Sequence, residues 1–527
     1  MDIKEAREIF DYASSHDDTN REEAVEDMRF RAGEQWPDEE RRQRESDKRP
    51  ALTINRMGQF VRRVTGSARQ NPPSVKVTPI DDPSGEDASA QMVDMAQVRE
   101  GMIRNIEQRS KASQVYISAL DSAVTCGIGY FRLVTEYGHK DPFRQDIKIK
   151  RINDPLSVLF DPDATDIVRA DAGYVFVTGL LTPRRFKQKY PKARSTSEWS
   201  ADDQRDESQY WVNGDHMIRV AEMFYREPIQ RKAILMSNGR SADITDRTDD
   251  EVREAVEQAA AQGLTVEDEK TFESHKVMRY IFNGDEMLEE PVEFPSRYLP
   301  IIPVLGEEIN IGEQRVRHGV VRFARDPQRL YNYWRTSAAE TVALAPKAPF
   351  LATAKQIHPY KAMWDNMNTV PRPYLLYKPD DMAGTPVPVR ATQPEAPAAM
   401  WQESAVAVDD MKSVTGIYDA SLGAGGNETS GKAIMARQAE GEIGSTVYLD
   451  NLKTAVERCG TVILDMMPRI YDSERTVQVV EENGEARPVR INQVTEDGKE
   501  QNPMGLGEYE VHVSTGPSYA SRREETR

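Results

Sequence analysis

Leu449, Leu452, Val456, Cys459, Ile463, Met466 and Ile470 follow one another at steps of 3, 4, 3, 4, 3 and 4. Side chains at that period line up on one side of a helix and form a packed seam. The spacing therefore predicts a helix from Lys432 to about Tyr471, the longest in the chain, with other elements covering the seam. Gly441, Gly444, Gly460 and Pro468 lie within it and mark points where it can bend.

The stretch before this helix is GAGGNETSGKAIMARQ, Gly423 to Gln438, in which Gly426, four residues, Gly431 and Lys432 have the spacing of a phosphate-cradling loop. Such a loop needs a buried strand in front of it and a Ser or Thr after the lysine to hold magnesium. Here Ala433 follows Lys432, and SVTGIYDASLGAGG is no apolar strand. The stretch reads instead as a glycine-rich loop whose Thr429 or Ser430 caps the helix behind it.

Toward the N-terminus, two more long helical patterns flank a small unit. VVRFARDPQRLYNYWRTSAAETVALAP places Val320, Phe323, Tyr331, Trp334, Ala338, Thr341 and Ala345 near one stripe, and Pro346 ends it. A Pro-rich segment of about 50 residues follows to Arg390, with strand-like ends around a short helix, and Pro394 to Val414 is helical again. Residues from Ile147 to about Ile311 read mostly as strands and turns, in IKIKRI, SVLFDPDATD, GYVFVTGLL, HMIRVAEMFYRE, KVMRYIFNG and YLPIIPVLGEEI, with one charged helical insertion, DDEVREAVEQAAAQG. Before them come a strand in SVKVTPIDD, an amphipathic helix from about Ala88 to Cys126, and a strand in YFRLVTEY. The first 70 residues read as short charged helices, one of them capped by Thr19. The fold class expected is α+β, multidomain, dominated by long helices.

Bulk properties narrow the function. A chain of 527 residues supports a large core without disulfides, and its two cysteines, Cys126 and Cys459, have no neighbouring cysteine. That suits a reducing compartment and excludes a cysteine zinc cluster or a CxxC redox site. No apolar run approaches the roughly 20 residues needed to span a bilayer, and the charged start is unlike a signal peptide. A formal charge of −18 argues against tight wrapping of nucleic acid. It leaves room for DNA as a partner that must not be gripped.

Catalysis finds no support in the residues. The histidines show no HExxH spacing, there is no GxSxG elbow, and Asp161-Pro-Asp163-Ala-Thr-Asp166 lacks the glycine and distant glutamate of a calcium loop. No cofactor and no metal are expected. Around FARDPQRLYNYWR, Arg322, Arg325, Arg329 and Arg335 share a helix with Tyr331, Tyr333 and Trp334. This is either a bundle helix with a charged outside or a surface for DNA.

Six blocks then come in one order: RFRAGEQWP, RPALTINRMGQFVRRVTGSARQNPPSVKVTP, INDPLSVLFDPDATD, RDPQRLYNYWRTSAAE, VTGIYDASLGAGGNETSGKAIMARQAEG and GPSYASRREE. Together they resemble the portal proteins of short-tailed, P22-like bacteriophages over nearly the whole chain. The resemblance implies a wing in 1–317, with helices and a β-rich region, a first stem helix in 318–345, an α/β clip in 346–393 and a second stem helix in 394–415. A tunnel loop in 416–430, a long bent wing helix in 431–472, and wing strands leading to a crown in 473–527 would follow. Similar portals run on from the GPSY block into a helical crown, sometimes with a barrel; this sequence stops at Arg527, and no barrel is assigned.

The resemblance further implies a homo-oligomeric, dodecameric ring at one capsid vertex, through which double-stranded DNA is packaged and ejected. Its partners would be the terminase large subunit, tail and head-tail adaptor proteins, and the major capsid and scaffolding proteins, with no membrane involved. The protein would be made in the bacterial host cytoplasm and end in the virion. Candidate DNA-channel residues are Lys412, Gly423, Gly425, Gly426, Asn427, Lys432 and Arg437, because each cation facing a pore becomes a ring of charge. Candidate stem residues are Arg325, Arg329 and Arg335, and candidate clip-docking residues are Lys355, His358, Tyr360, Lys361 and Trp364. Two rivals stand beside this reading: a P-loop ATPase motor using Gly426 to Lys432, and an oligomeric adaptor that never touches DNA.

Overall fold

The computed structural model describes residues 1–527 except 81–85, 139–141, 194–210, 212–216, 238–240, 246–248, 262–264, 313, 345–349, 368–369, 371, 380–385, 392–397, 418–443, 445, 482–483, 495–499, 506 and 515–527. The chain forms two compact units, one of Met1–Ala24, Val64–Gly319 and Thr446–Arg527 and the other of Val25–Arg63 and Val320–Ser445. Among the described residues the helices are α1 (Ile3–Ala32), α2 (Asp38–Ser46), α3 (Met57–Gln70), α4 (Glu86–Ser110), α5 (Ala112–Cys126), α6 (Pro183–Lys189), α7 (Asp249–Ala261), α8 (Val320–Leu344), α9 (Ala354–Ile357), α10 (Lys361–Asp365), α11 (Ala398–Thr415) and α12 (Thr446–Ile470).

In the first unit, a six-stranded antiparallel sheet runs in the order Val158–Phe160, Tyr174–Leu181, Ile218–Met236, Val266–Phe282, Met287–Glu293, with Ser241–Asp243 pairing to the far end of the third of these. Ala6, Phe10 and Ala13 of α1, together with Trp211, pack onto Phe176, Met223 and Phe282 of this sheet. Three antiparallel strands, Ile301–Leu305, Ile128–Tyr137 and Gln145–Arg151, make a second sheet, on which α5 lies. All five residues of Ile301–Leu305 are buried, as suits a strand covered on both faces. These strands coincide with the alternating and apolar runs of the sequence.

The predicted seam of α12 is buried from Leu452 through Val456, Cys459, Ile463 and Met466. It is wider than its heptad pattern, because Tyr448, Ala455, Val462 and Met467 are buried too. Gly460, expected as a point of bending, is a point of contact. A Cβ there would come within 2.8 Å of Val511 Cγ1 and 3.3 Å of Val75 Cγ1, so its absence lets the paired strands Ser74–Pro79 and Tyr509–Ser514 approach the helix. The part of the expected helix from Lys432 through Gly441 lies outside the described residues.

Two helical expectations are corrected. Thr19 caps nothing: α1 runs through it unbroken. The polar side chains around it, which in isolation compete with helix for their own backbone, are committed to the strand Gln314–His318. Asn20 donates to Arg315 O at 2.8 Å and accepts from Arg317 N at 3.0 Å, while Asp17 pairs with Arg317. The helix expected from Ala88 to Cys126 is instead two. Lys111 adopts the left-handed conformation, φ 53° and ψ 44°, and separates α4 from α5. The strand beside the break takes up its polar groups: Ser110 Oγ accepts from Ile149 N and Arg109 pairs with Asp146.

Candidate functional site

In the second unit, α8 and α11 pack on each other, and α8 carries most of the charge singled out in the sequence. Four of its polar side chains are nevertheless buried: Arg325, Gln328, Asn332 and Thr336. Their spacing of 3, 4 and 4 places them on one side of the helix. Opposite them runs the extended segment Pro50–Arg56. Leu52 N donates to Thr336 Oγ1 (3.2 Å), Ile54 N to Asn332 Oδ1 (2.9 Å) and Arg56 N to Gln328 Oε1 (3.1 Å). Gln328 Nε2 returns a bond to Ile54 O at 2.9 Å.

Geometry explains the match. Two residues of extended chain cover about 6.6 Å and four of helix about 6 Å, so every second backbone amide meets every fourth helical side chain. α8 therefore serves this segment as a substitute strand edge, and a buried polar stripe is hydrogen-bonded as burial demands. Asn332 Nδ2 also donates to Gln35 Oε1 at 2.7 Å, and Arg49 closes the ladder with a two-bond pair to Glu340.

The arginines are placed by the same packing. Asp27 is fully buried and accepts from Arg322 Nε at 3.0 Å and Arg325 Nε at 2.7 Å. Burial pushes its carboxyl above the ordinary aspartate value even though both guanidinium groups pull it down. Arg325 reaches Glu26 as well, at 2.9 Å, and is itself buried. Arg329 pairs with Glu26 at 3.0 Å and lies over the Phe30 ring. Arg335 lies over the Trp401 ring at 4.8 Å and so ties α8 to α11. In the chain by itself, Arg325 is thus a brace, and Arg329 and Arg335 are half-buried beside it.

Lys412 lies in the last turn of α11, where its ammonium pairs with Asp409 at 3.3 Å. Gly423, Gly425, Gly426, Asn427, Lys432 and Arg437 lie outside the described residues, as do the capping candidates Thr429 and Ser430.

Between the two helices, the small α/β segment is organised by two side chains. Thr353 and Gln356 form a capping box on α9, and Gln356 Nε2 continues to Pro386 O at 3.0 Å. Trp364 is buried, donates to Leu376 O at 2.9 Å and meets Phe350 edge to face. Of the candidate docking residues, Trp364 therefore holds the segment together, while Lys355, His358, Tyr360 and Lys361 are exposed. Phe350–Leu351 and Val389–Arg390 pair to close it.

Sequence reasoning missed Asp27, Gln328, Asn332 and Thr336. A signal existed, since the polar stripe has the same helical period as an apolar one. Elsewhere, Asp161 accepts from the amides of Asp163 and Gly173, and Asp171 from Thr165 N and Oγ1, so the carboxylates of that turn are spent on its own backbone. Among the described residues no group of three or more His, Cys, Asp or Glu is arranged to hold a metal ion, and no helix is long and apolar enough to cross a membrane.

Comparison with known proteins gives two findings. A family model described as phage P22-like portal protein matches residues 7–527. The chain is also similar to a portal protein of Acyrthosiphon pisum secondary endosymbiont phage 1, at 26% identity over 98% of this chain and 73% of that protein.

Proposed function

The chain belongs to the phage P22-like portal protein family, and from that premise we propose that its copies close into a ring at one capsid vertex, forming a conduit for double-stranded DNA. A portal is a structural protein of the virion rather than a catalyst. The ring is taken as dodecameric. The two-part chain supports a division of labour in which the first unit is the wing and α8 and α11 are the stem, with the α/β segment between them as the clip. In that assignment Val25–Arg63 belongs with the stem it braces.

One observation carries the ring reading within the structure. Phe323 and Leu330 lie on the side of α8 opposite the buried polar ladder and are 55 and 50% exposed. Large apolar side chains exposed on the far side of a helix whose rear face is satisfied mark an interaction surface. In a ring, the neighbouring stem covers it.

The clip's exposed Lys355, His358, Tyr360 and Lys361 suit docking of the terminase large subunit during packaging and of head-tail adaptor proteins afterwards. Major capsid and scaffolding proteins would meet the outside of the assembly. Lys412, Lys432 and Arg437, repeated around the axis, would form rings of positive charge in a channel of an otherwise acidic protein. That combination lets DNA pass without sticking. The braced Arg325, with Arg329 and Arg335, stiffens the stem in this scheme.

Electron-microscope class averages of the purified protein test the reading. Closed rings are expected; a chain that stays monomeric alone and with its assembly partners would refute it. Absence of ATP hydrolysis, with and without Lys432→Ala, separates a portal from a P-loop motor. Heads that assemble normally but hold less DNA when Lys432 is replaced separate it from an adaptor that never touches DNA.

A further inference from the structure

The small segment between α8 and α11 departs from the rest of the chain in charge. Residues 346–393 hold six lysines and arginines against three aspartates and no glutamate, a formal +3 within a chain of −18. Lys355, Lys361, Arg372 and Lys378 are exposed, and among the described residues they make no ion pair.

Apolar side chains stand open beside these cations. Phe350–Leu351 pairs with Val389–Arg390, and the two faces of that ribbon are treated differently. On one face Arg390 lies over the Phe350 ring, and Phe350 meets the buried Trp364. On the other, Leu351 stands opposite Val389, and the two are 68 and 56% exposed; Val387, two residues earlier, is 57% exposed. A two-stranded ribbon with only one face covered is marginal in water by itself. Gln356 gathers the pieces. Its carbonyl accepts from Lys378 N at 3.1 Å and its Nε2 donates to Pro386 O at 3.0 Å, so Lys378, Val387 and the adjoining Lys355 come together around one residue.

Scattered apolar residues on a surface need no partner, but an open apolar face bordered by unpaired cations has a definite complement. Nucleic acid would satisfy the lysines and leave Leu351, Val387 and Val389 wet. The same segment of a second copy carries the same positive charge and is repelled. Carboxylates flanking apolar side chains satisfy both halves. We infer that the face of Leu351, Val387 and Val389, with Lys355 and Lys378 at its border, docks an acidic amphipathic segment of a partner protein. The inference rests on the reading of this segment as the docking clip and gives that reading a chemistry. Burial of the apolar centre supplies the affinity, and the lysines speed encounter and reject basic competitors.

The probe is a labelled synthetic helix of leucine and glutamate, with leucines at every third and fourth position, titrated with the full chain and followed by fluorescence anisotropy. It is expected to bind, more weakly as salt is raised, while the same peptide with lysine for each glutamate does not. Leu351→Glu, at an exposed position, and the double change Lys355→Glu/Lys378→Glu are each expected to leave the melting temperature unchanged and to weaken binding at least about tenfold. No binding of the glutamate peptide, equal binding of the lysine peptide, or undiminished binding by both variants overturns the inference. A DNA duplex whose binding is lost through the same changes would assign the face to nucleic acid and overturn it as well. The terminase large subunit separates this face from the reading beneath it. Peptide binding without terminase binding keeps the face and removes terminase as the clip's partner; terminase binding that both variants retain keeps the clip reading and removes the face.

Discussion

Asp27 shows how one residue decides the role of its neighbours. A buried carboxylate between Arg322 and Arg325 turns two candidate DNA contacts into internal braces. Replacing it with alanine removes the buried counter-charge shared by Arg322 and Arg325, Arg325 keeping only Glu26 of its two named carboxylates, which costs about 3 kcal/mol. Urea unfolding should show that loss, and a change under about 1 kcal/mol would mean the carboxylate contributes little to the fold. Glu107 gives a pH signature. Burial holds its carboxyl up to about 7, against the pull of the Tyr116 hydroxyl and Arg104. The folded protein therefore keeps a proton that the unfolded chain releases from about pH 4.5 upward, so stability falls as pH rises toward about 7 and levels off above it. The full effect is of order 3 kcal/mol. Glu107→Gln should remove this slope, so the melting temperatures of the two proteins diverge between about pH 4.5 and about pH 7 and run parallel above it. Curves parallel throughout would contradict the assignment.

At the scale of elements, α8 is a ladder for Pro50–Arg56 and, in the proposed assembly, a stem helix. Asn332→Leu keeps the helix but strips the partners of Ile54 N and Gln35 Oε1. Unsatisfied buried groups of this kind cost about 1–3 kcal/mol each. Hydrogen exchange should then speed up across 50–56 more than along α8, and uniform protection would argue against the ladder. Much of this level was legible. The strands of the first unit, the extent of α8 and the seam of α12 follow from period alone. The helix ends did not. Thr19 reads as a cap because the sequence does not show that Asn20 and Asp17 are bonded to a strand some 300 residues away. Lys111 reads as helical because a left-handed lysine has no local signature; the break is held by Ser110 and Arg109 on the neighbouring strand.

At the scale of the whole molecule, the exposed apolar side chains of α8 carry the assembly prediction. Leu330→Asp should leave the protomer folded, since Leu330 is half exposed, and should shift sedimentation from ring to monomer at equal concentration. Rings as abundant as those of the unaltered chain would move the interface elsewhere. The sequence by itself determined the α+β class, the two long helices around a small segment, the lack of a Ser or Thr after Lys432 and the family, because periods, missing ligands and block order are local or one-dimensional facts. Only the tertiary structure decided that Arg325 faces Asp27 rather than solvent, that Trp364 is buried against Phe350, and that Val25–Arg63 joins the second unit. Those outcomes depend on which distant segment supplies a hydrogen bond or a counter-charge.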